Sequence, residues 1–104
     1  MTREIAFTRS AELEFDSAIE WYETRSLGLG KRFAAEVRLL LRRISENPTL
    51  FAVAYRNVRR AKVRRFPFAV FFLEAPRQVA ILTITHTSRD SEVWRKRIDD
   101  GIGD

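Results

Sequence analysis

The sequence contains no cysteine, only one histidine, four glycines and three prolines in 104 residues. Without cysteine, disulfide bonds and thiolate chemistry are excluded, so the fold depends on packing alone. The longest apolar stretch, Phe66 to Leu73, is too short to cross a bilayer, and no signal-peptide-like run opens the chain. We therefore expect a single cytoplasmic domain over residues 1–104, with no membrane segment and no cofactor.

Positive charge is concentrated in the middle of the chain. Residues 1–24 carry two basic and six acidic side chains, residues 25–65 carry twelve basic and two acidic, and residues 66–104 carry five basic and six acidic. Clustered charge of one sign focuses the local potential, which suggests an acidic or polyanionic partner. The alternative is that much of this charge is the solvated face of a helix.

The first half of the chain predicts a short strand followed by two helices. Ile5 and Phe7 alternate with polar residues, as in a strand. A helix is predicted over residues 11–25, capped by Ser10, and a second over residues 31–46, where apolar residues recur at helical spacing. The glycine-containing turn between them predicts an antiparallel helical hairpin.

The second half predicts three strands. They are NVRRAKVRRF (residues 57–66), FAVFFLE (residues 68–74) and QVAILTITHT (residues 78–87), joined by short connections that make them antiparallel neighbours. The last strand is apolar on both faces at its start, which indicates a central position. The predicted fold is therefore α+β: an N-terminal strand, a helical hairpin packed on one sheet face, and a three-stranded antiparallel meander.

The first of these three strands carries a row of cations. Alternation places Arg60, Lys62 and Arg64 on one face, which we expect to be open to water because Ala61 and Val63 suit the side facing the hairpin. Like charges on alternate residues repel one another, so partner binding explains them better than local stability does. The alternative is an edge strand protected by charge against unwanted pairing.

The C-terminal segment HTSRDSEVWRKR begins where the last strand ends. We expect Arg89 beside the basic row, and a short helix capped by Asp90 or Ser91 that holds Trp94 as a packing residue. His86 is the single histidine, and no cysteine or close carboxylate cluster accompanies it, which argues against a metal site. The sequence also has no glycine-rich phosphate loop and no serine nucleophile elbow.

Taken in order, four segments resemble the RelE/ParE superfamily of toxins from type II toxin–antitoxin modules. They are SAELEFDSAIEWYE, LGKRFAAEV, VRRFPFAVFF and ITHTSRDSEVWRKR, which together extend over nearly the whole chain. The resemblance implies a helical hairpin on a small antiparallel sheet. It also implies a toxin that a cognate antitoxin, usually encoded beside it, neutralises.

The RelE-like branch of the superfamily cleaves messenger RNA in the ribosome. It uses basic residues on the open sheet face, an arginine after the last strand and often a C-terminal tyrosine. The residues that match are Arg60, Lys62, Arg64 and Arg89. Trp94 stands where the tyrosine would be, and an indole cannot exchange protons as a phenol does. RNA cleavage needs a base for the 2′-hydroxyl, and the weak candidates here are Tyr55, Lys62 and His86.

The ParE-like branch is the closer resemblance, because RRFPFAVFF and HTSRDSEVW are more similar to it. Its members are associated with poisoning DNA gyrase rather than with cutting RNA. Arg89, Trp94 and Arg95 are then expected at an exposed rim of the sheet, where a protein target could contact them. Three functions stay open: a ParE-like toxin acting on gyrase, a ribosome-dependent endoribonuclease, and a basic module that binds nucleic acid.

Overall fold

The computed structural model describes residues 2–89 and 91–102 of the chain, so Asp90, one of the two predicted helix caps, lies outside the described residues. Its helices are α1 (Arg9–Arg25), α2 (Leu29–Glu46) and α3 (Ser91–Ile102), with a 3₁₀ turn at Pro48–Leu50. Its strands are β1 (Glu4–Phe7), β2 (Val53–Tyr55), β3 (Val58–Lys62), β4 (Phe68–Glu74) and β5 (Gln78–His86). They form one sheet in the order β1-β5-β4-β3-β2, in which only the β1–β5 pair is parallel.

The predicted α+β fold is confirmed, with an N-terminal strand, a helical hairpin on one sheet face and an antiparallel meander of β3, β4 and β5. Two strand predictions were wrong in detail. Residues 53–55, which lie in none of the predicted strands, form the short strand β2 against β3. The strand predicted over residues 57–66 ends at Lys62, because the chain then turns, and Arg65 takes a positive φ of 70° that no strand contains.

The helical hairpin is fixed by contacts at its ends. Thr8, rather than the predicted Ser10, caps α1, since its side chain accepts a hydrogen bond from the Ala11 amide at 3.2 Å. At the turn, the Glu23 carboxylate accepts hydrogen bonds from the amides of Gly28 and Gly30 at 2.8 and 3.0 Å, at the positive end of the α2 dipole. Gly28 has a φ of 88°, a conformation that favours glycine.

The main core lies between this hairpin and the sheet. Phe33 is fully buried there, and its ring packs against four other aromatic rings with centroid distances of 5.0 to 6.1 Å: Phe15, Tyr22, Phe66 and Phe68. The buried side chains of α2 recur at helical spacing and complete this layer: Phe33, Ala34, Val37, Leu40, Leu41 and Ile44. The hairpin therefore covers its face of the sheet with a continuous apolar core.

The other sheet face was expected to be open, and the structure corrects this expectation. Helix α3 crosses its centre, burying Ile98 completely in a small cluster with Val58, Phe71 and Leu82. The segment predicted as a short helix is 12 residues long, and its Ile98 and Trp94 pack into this cluster. Only the flanks of this face are left to solvent, and the exposed cations of β3 lie there.

Candidate functional site

Two surfaces gather the residues that the sequence singled out. The first is the basic face, which we define as Arg60, Lys62, Arg64 and Arg95. Arg60 and Lys62 are cross-strand partners of Phe71 and Ala69, whose side chains belong to the cluster beneath α3. Because directly opposed residues share a sheet face, Arg60 and Lys62 lie on the α3 side, and both are exposed. Arg64 is also exposed but lies in the turn after β3 rather than in the strand row.

Lys62 stabilises the turn that follows β3. Its ammonium donates hydrogen bonds to the carbonyl oxygens of Val63 and Phe66, both at 2.7 Å. These two bonds, with the Val63 amide donating to the Phe68 carbonyl at 2.9 Å, hold the turn between β3 and β4 in a fixed shape. The ammonium is already engaged with two backbone carbonyls, so Lys62 is poorly placed to act as a base.

Helix α3 presents aromatic and charged side chains beside β2. Trp94 was expected to be exposed at a rim, but it is only half-exposed, because its ring stacks on Phe71 with centroids 4.5 Å apart. The Arg95 guanidinium lies over the rings of Tyr55 and Trp94 at 5.3 and 5.4 Å. The Tyr55 hydroxyl donates to the Asp99 carboxylate at 3.0 Å, so this phenol is also engaged.

Arg56 completes the contact between the β2–β3 turn and α3. Its guanidinium forms an ion pair with Asp99 at 3.0 Å. The hydrogen bond with Tyr55 and the nearby Asp99 charge raise the pKa of Arg56 further, so it is always charged. Its backbone has a φ of 54°, which fits the tight two-residue connection between β2 and β3.

The second surface is a groove at the edge of β5, which we call the edge groove. It has a volume of about 750 Å³ and lies between α1, the end of β5 and α3. Leu13 and Trp21 are 54% and 52% exposed on its α1 wall, and each lies about one helical turn from Ser17 between them. Its other apolar lining residues are Ala18, Tyr22, Pro67, Phe68 and Ile84.

The polar floor of the edge groove is organised by Glu14. One carboxylate oxygen accepts hydrogen bonds from the Thr83 hydroxyl at 2.9 Å and the Ile84 amide at 3.1 Å. The other forms a 2.6 Å ion pair with Arg97, so one side chain of α1 contacts both β5 and α3. Sequence reasoning missed Glu14, since no local pattern distinguishes it from the other acids of α1.

The edge of β5 is unpaired along the groove. Strand β1 pairs with β5 only from Gln78 to Ile81, and Thr8 extends this contact by donating its amide to the Ile81 carbonyl. Beyond that point the Thr8 hydroxyl donates to the Leu82 carbonyl at 3.2 Å, and Glu14 accepts from Thr83 and Ile84. Thr85, which is 4% exposed and lines the groove, has a hydroxyl with no hydrogen-bond partner among the described residues. An unpaired edge with a buried polar group is suited to receive an extended chain.

His86 and Arg89 belong to the edge groove and not to the basic face. His86 is the cross-strand partner of Phe68, whose ring packs in the hairpin core, so the histidine lies on the opposite sheet face from Lys62. Its Nδ1 atom accepts a hydrogen bond from the Ser88 amide at 3.0 Å. Arg89 is exposed at the groove. Arg89 was expected beside the basic row, and the structure places it among the residues that line the groove.

The candidate nuclease residues are therefore not brought together. Arg60 and Lys62 lie on the α3 side of the sheet, His86 lies on the hairpin side, and Tyr55 is bonded to Asp99. Tyr22, the other phenol, lines the groove, and burial raises the pKa of its hydroxyl above the usual 10.0, which disfavours the phenolate that a base would need. Whether any of these residues binds a target or takes part in catalysis stays a prediction.

The chain and its fold can be compared with known proteins. A model of the ParE toxin of the type II toxin–antitoxin system parDE matches residues 5–91. The chain belongs to the ParE toxin family. It is thus the toxin component of a type II toxin–antitoxin module, as the sequence resemblance implied, and this relationship supports an antitoxin as its partner. A search of curated protein sequences finds no match.

Two solved structures share the fold of this ParE-family chain. A chain of the chromosomal ParDE toxin–antitoxin system from P. aeruginosa is similar with a TM-score of 0.66 and 20% identity, covering 82% of this chain and 96% of that one. A doubly substituted mutant of the E. coli toxin RelE in the free state is similar with a TM-score of 0.59 and 11% identity, covering 96% and 98%. Both confirm the predicted superfamily architecture.

Two further features were sought in the described residues of this ParE-family toxin: a metal-binding cluster and a membrane-spanning helix. In residues 2–89 and 91–102, no group of three or more histidine, cysteine, aspartate or glutamate side chains is placed to hold a metal ion. None of the helices in the same ranges combines the length and apolar composition that crossing a bilayer requires.

Proposed function

We propose that this toxin acts by contact with DNA gyrase and not by cutting RNA. Family membership supports this proposal, since gyrase poisoning is what the ParE-like resemblance implies. The observation that carries it is the separation of the candidate proton-transfer groups: His86 and Lys62 lie on opposite sheet faces, and the Tyr55 hydroxyl is bonded to Asp99. General acid–base cleavage needs two such groups around one phosphate. Binding a protein target needs only an exposed surface.

Purified toxin, gyrase and plasmid DNA provide the test. We expect linear DNA from stabilised cleavage complexes, and induction of a DNA-damage reporter when the toxin is expressed in bacteria. Arg95→Ala is expected to weaken both effects by roughly tenfold, corresponding to the loss of one exposed interface contact. Arg42→Ala, an equal loss of charge on the outer side of α2, is the matched control and should leave both unchanged. Growth arrest without DNA breaks would contradict the proposal.

A ribosome-dependent endoribonuclease is the second candidate, because Arg60, Arg64 and Arg89 are all exposed and could contact phosphates. In that case the double change Arg64→Ala and Arg89→Ala should abolish translation-dependent cleavage of messenger RNA while antitoxin binding stays nearly intact. Primer extension on messenger RNA from cells expressing the toxin measures this directly. Intact messages in arrested cells would eliminate the candidate.

We propose further that the cognate antitoxin docks in the edge groove. Antitoxin tails are often disordered and amphipathic or acidic, and fold on the toxin. The edge groove suits such a segment: Leu13 and Trp21 provide apolar contact, the unpaired edge of β5 provides backbone hydrogen bonds, and Arg89 provides positive charge. The Thr85 hydroxyl, buried without a partner among the described residues, would gain one from the docked chain.

Co-expression with the antitoxin encoded beside the toxin gene tests this docking site. Leu13→Glu and Trp21→Glu should each reduce the affinity for the antitoxin by at least about a hundredfold, since a buried charge would replace an apolar contact. The toxin should then escape neutralisation while keeping its own activity. Leu39→Glu is the matched control, because Leu39 is 53% exposed on α2, outside the groove. If all three variants bind equally well, the antitoxin docks elsewhere.

A further inference from the structure

The segment from Val53 to Arg65 contains six basic residues and no acidic one. It forms β2, β3 and the following turn, and three of its cations belong to the basic face. Arg59 is the exception in orientation, because it is the partner of Phe72 in the hairpin core and pairs with Glu74 on that side. The remaining charge is therefore displayed either on the α3 side of the sheet or at the turn.

Few acids neutralise this charge. Within the described ranges, no carboxylate lies within ion-pair distance of Arg60 or Arg64. On α3, which is packed against the same sheet face, Asp99 is engaged by Arg56 and Tyr55. The other acids of this helix are Glu92 and Asp100, and the same helix carries three basic residues, Arg95, Lys96 and Arg97. A row of like charges without local partners is costly unless a polyanion compensates it.

The cations are also held in fixed positions. Lys62 anchors the turn through its two carbonyl contacts, and that turn carries Arg64. Arg60 projects from a paired strand, and Arg95 rests on the rings of Tyr55 and Trp94. Because the side chains of Lys62 and Arg95 already rest on their neighbours, ordering them on binding costs less conformational entropy than it would for freely moving side chains.

The aromatic residues near the basic face decide which polyanion fits. Single-stranded RNA and DNA are bound largely by stacking unpaired bases on exposed rings. Here one face of Trp94 stacks on Phe71, Arg95 lies over Trp94 and Tyr55, and Tyr55 is tied to Asp99. With the rings occupied, the surface offers positive charge without a stacking platform, which favours the phosphate backbone of a duplex.

We propose that the basic face binds the phosphate backbone of duplex DNA without sequence preference. This inference rests on the proposed function, in which the toxin acts on gyrase while the enzyme holds a DNA duplex. The toxin would then contact both the enzyme and its DNA. The edge groove takes no part in this binding, because its lining residues include Arg97 of α3 but no residue of the basic face.

Fluorescence anisotropy with a labelled mixed-sequence DNA duplex and the full chain, without gyrase, tests the inference. With about three phosphate contacts, affinity should fall by roughly 40-fold between about 50 and about 200 mM salt, from a slope of about −0.9 per contact. Arg60→Ala and Arg64→Ala should each weaken binding and reduce the salt slope by about 1. Arg42→Ala removes the same charge from α2 and should reduce neither by a comparable amount.

Three outcomes would overturn the inference: no duplex binding at low salt, tighter binding to single-stranded RNA of equal length, or an equal effect of Arg42→Ala. Circular dichroism establishes that each variant is folded, and Arg60→Lys should restore most of the affinity because it restores the charge. The proposed function is tested separately. Gyrase poisoning by a toxin that does not bind DNA would remove only this inference, whereas DNA binding without poisoning would remove only the proposed function.

Discussion

The two faces of the sheet are covered to very different extents. On one face the hairpin of α1 and α2 encloses a continuous core that includes six side chains of α2 and the ring of Phe33. On the other face α3 alone covers a small cluster that contains Ile98 and Phe71. The exposed cations of the basic face lie beside this thinner cover. The difference indicates that the hairpin face provides most of the stability of the fold, while the α3 face leaves charged side chains exposed to solvent.

The largest effect is expected on the hairpin face. Phe33→Ala removes a ring with 0% exposure that contacts four other rings, and should lower the free energy of unfolding by about 3 to 5 kcal/mol. That is a large share of the roughly 5 to 15 kcal/mol typical of a domain. Urea denaturation measures the loss. A change below about 1 kcal/mol would show that the hairpin face does not carry the stability.

A matched pair of isoleucines then compares the two faces directly. Ile44 in α2 and Ile98 in α3 both have 0% exposure. Ile98→Ala is expected to cost about 2 to 3 kcal/mol, and Ile44→Ala somewhat more, because the larger core collapses less readily around a cavity. Hydrogen exchange gives the sharper distinction. Ile98→Ala should speed exchange only in α3, whereas Ile44→Ala should speed it throughout the molecule. Identical exchange patterns would contradict the comparison.

The hairpin face is also the part of the molecule that the sequence predicted best. Phe33, Val37, Leu40 and Ile44 recur at helical spacing within α2. Local periodicity was therefore enough to predict both the helix and its buried face. The end of this helix before Pro48 was equally local. The antiparallel meander followed from short connections between apolar runs, and the structure confirmed it.

The other face was predicted less well because its contacts join distant residues. The pairing of β1 with β5 links Phe7 to Ile81, and the cover by α3 brings Ile98 against Val58 and Phe71. The bond between Glu14 and Arg97 joins residues 83 positions apart. No periodicity encodes such contacts. For the candidate site, alternation placed Arg60 and Lys62 correctly on one face, but it could not reveal that a turn takes Arg64 out of the strand or that Lys62 binds two carbonyls.

The ion pair between Glu14 of α1 and Arg97 of α3 should have an intermediate effect on the free energy of unfolding. Glu14→Gln keeps an acceptor for the Thr83 hydroxyl and the Ile84 amide but loses the charge that holds Arg97. We expect a loss of about 1 to 2 kcal/mol, because the guanidinium is 38% exposed and solvent screens part of the attraction. Glu20→Gln, an exposed change on the same helix, is the control. Equal unfolding midpoints for both variants would show that the pair does not couple α3 to α1.

A smaller effect is expected from Tyr55 on the α3 side. Tyr55→Phe removes the hydroxyl that donates to Asp99 and keeps the ring that lies beneath Arg95. The net loss should be about 0.5 to 1 kcal/mol, because the bond is exposed and water replaces most of what the carboxylate loses. Thermal unfolding at neutral pH measures it. A larger loss would indicate that the cover by α3 depends on this single contact.

The smallest effect concerns Tyr22 on the hairpin side and appears only in alkaline solution. Burial raises the pKa of its phenol above the usual 10.0, so the unfolded chain releases the proton at lower pH than the folded one does. The contribution of this group to stability is therefore complete below about pH 10 and is lost as the pH rises through the folded value. Tyr22→Phe should match the wild type at neutral pH and lose less stability above about pH 10. Parallel curves for the two proteins would show that Tyr22 ionises equally well in the folded chain, and that the hairpin core is open to water at this position.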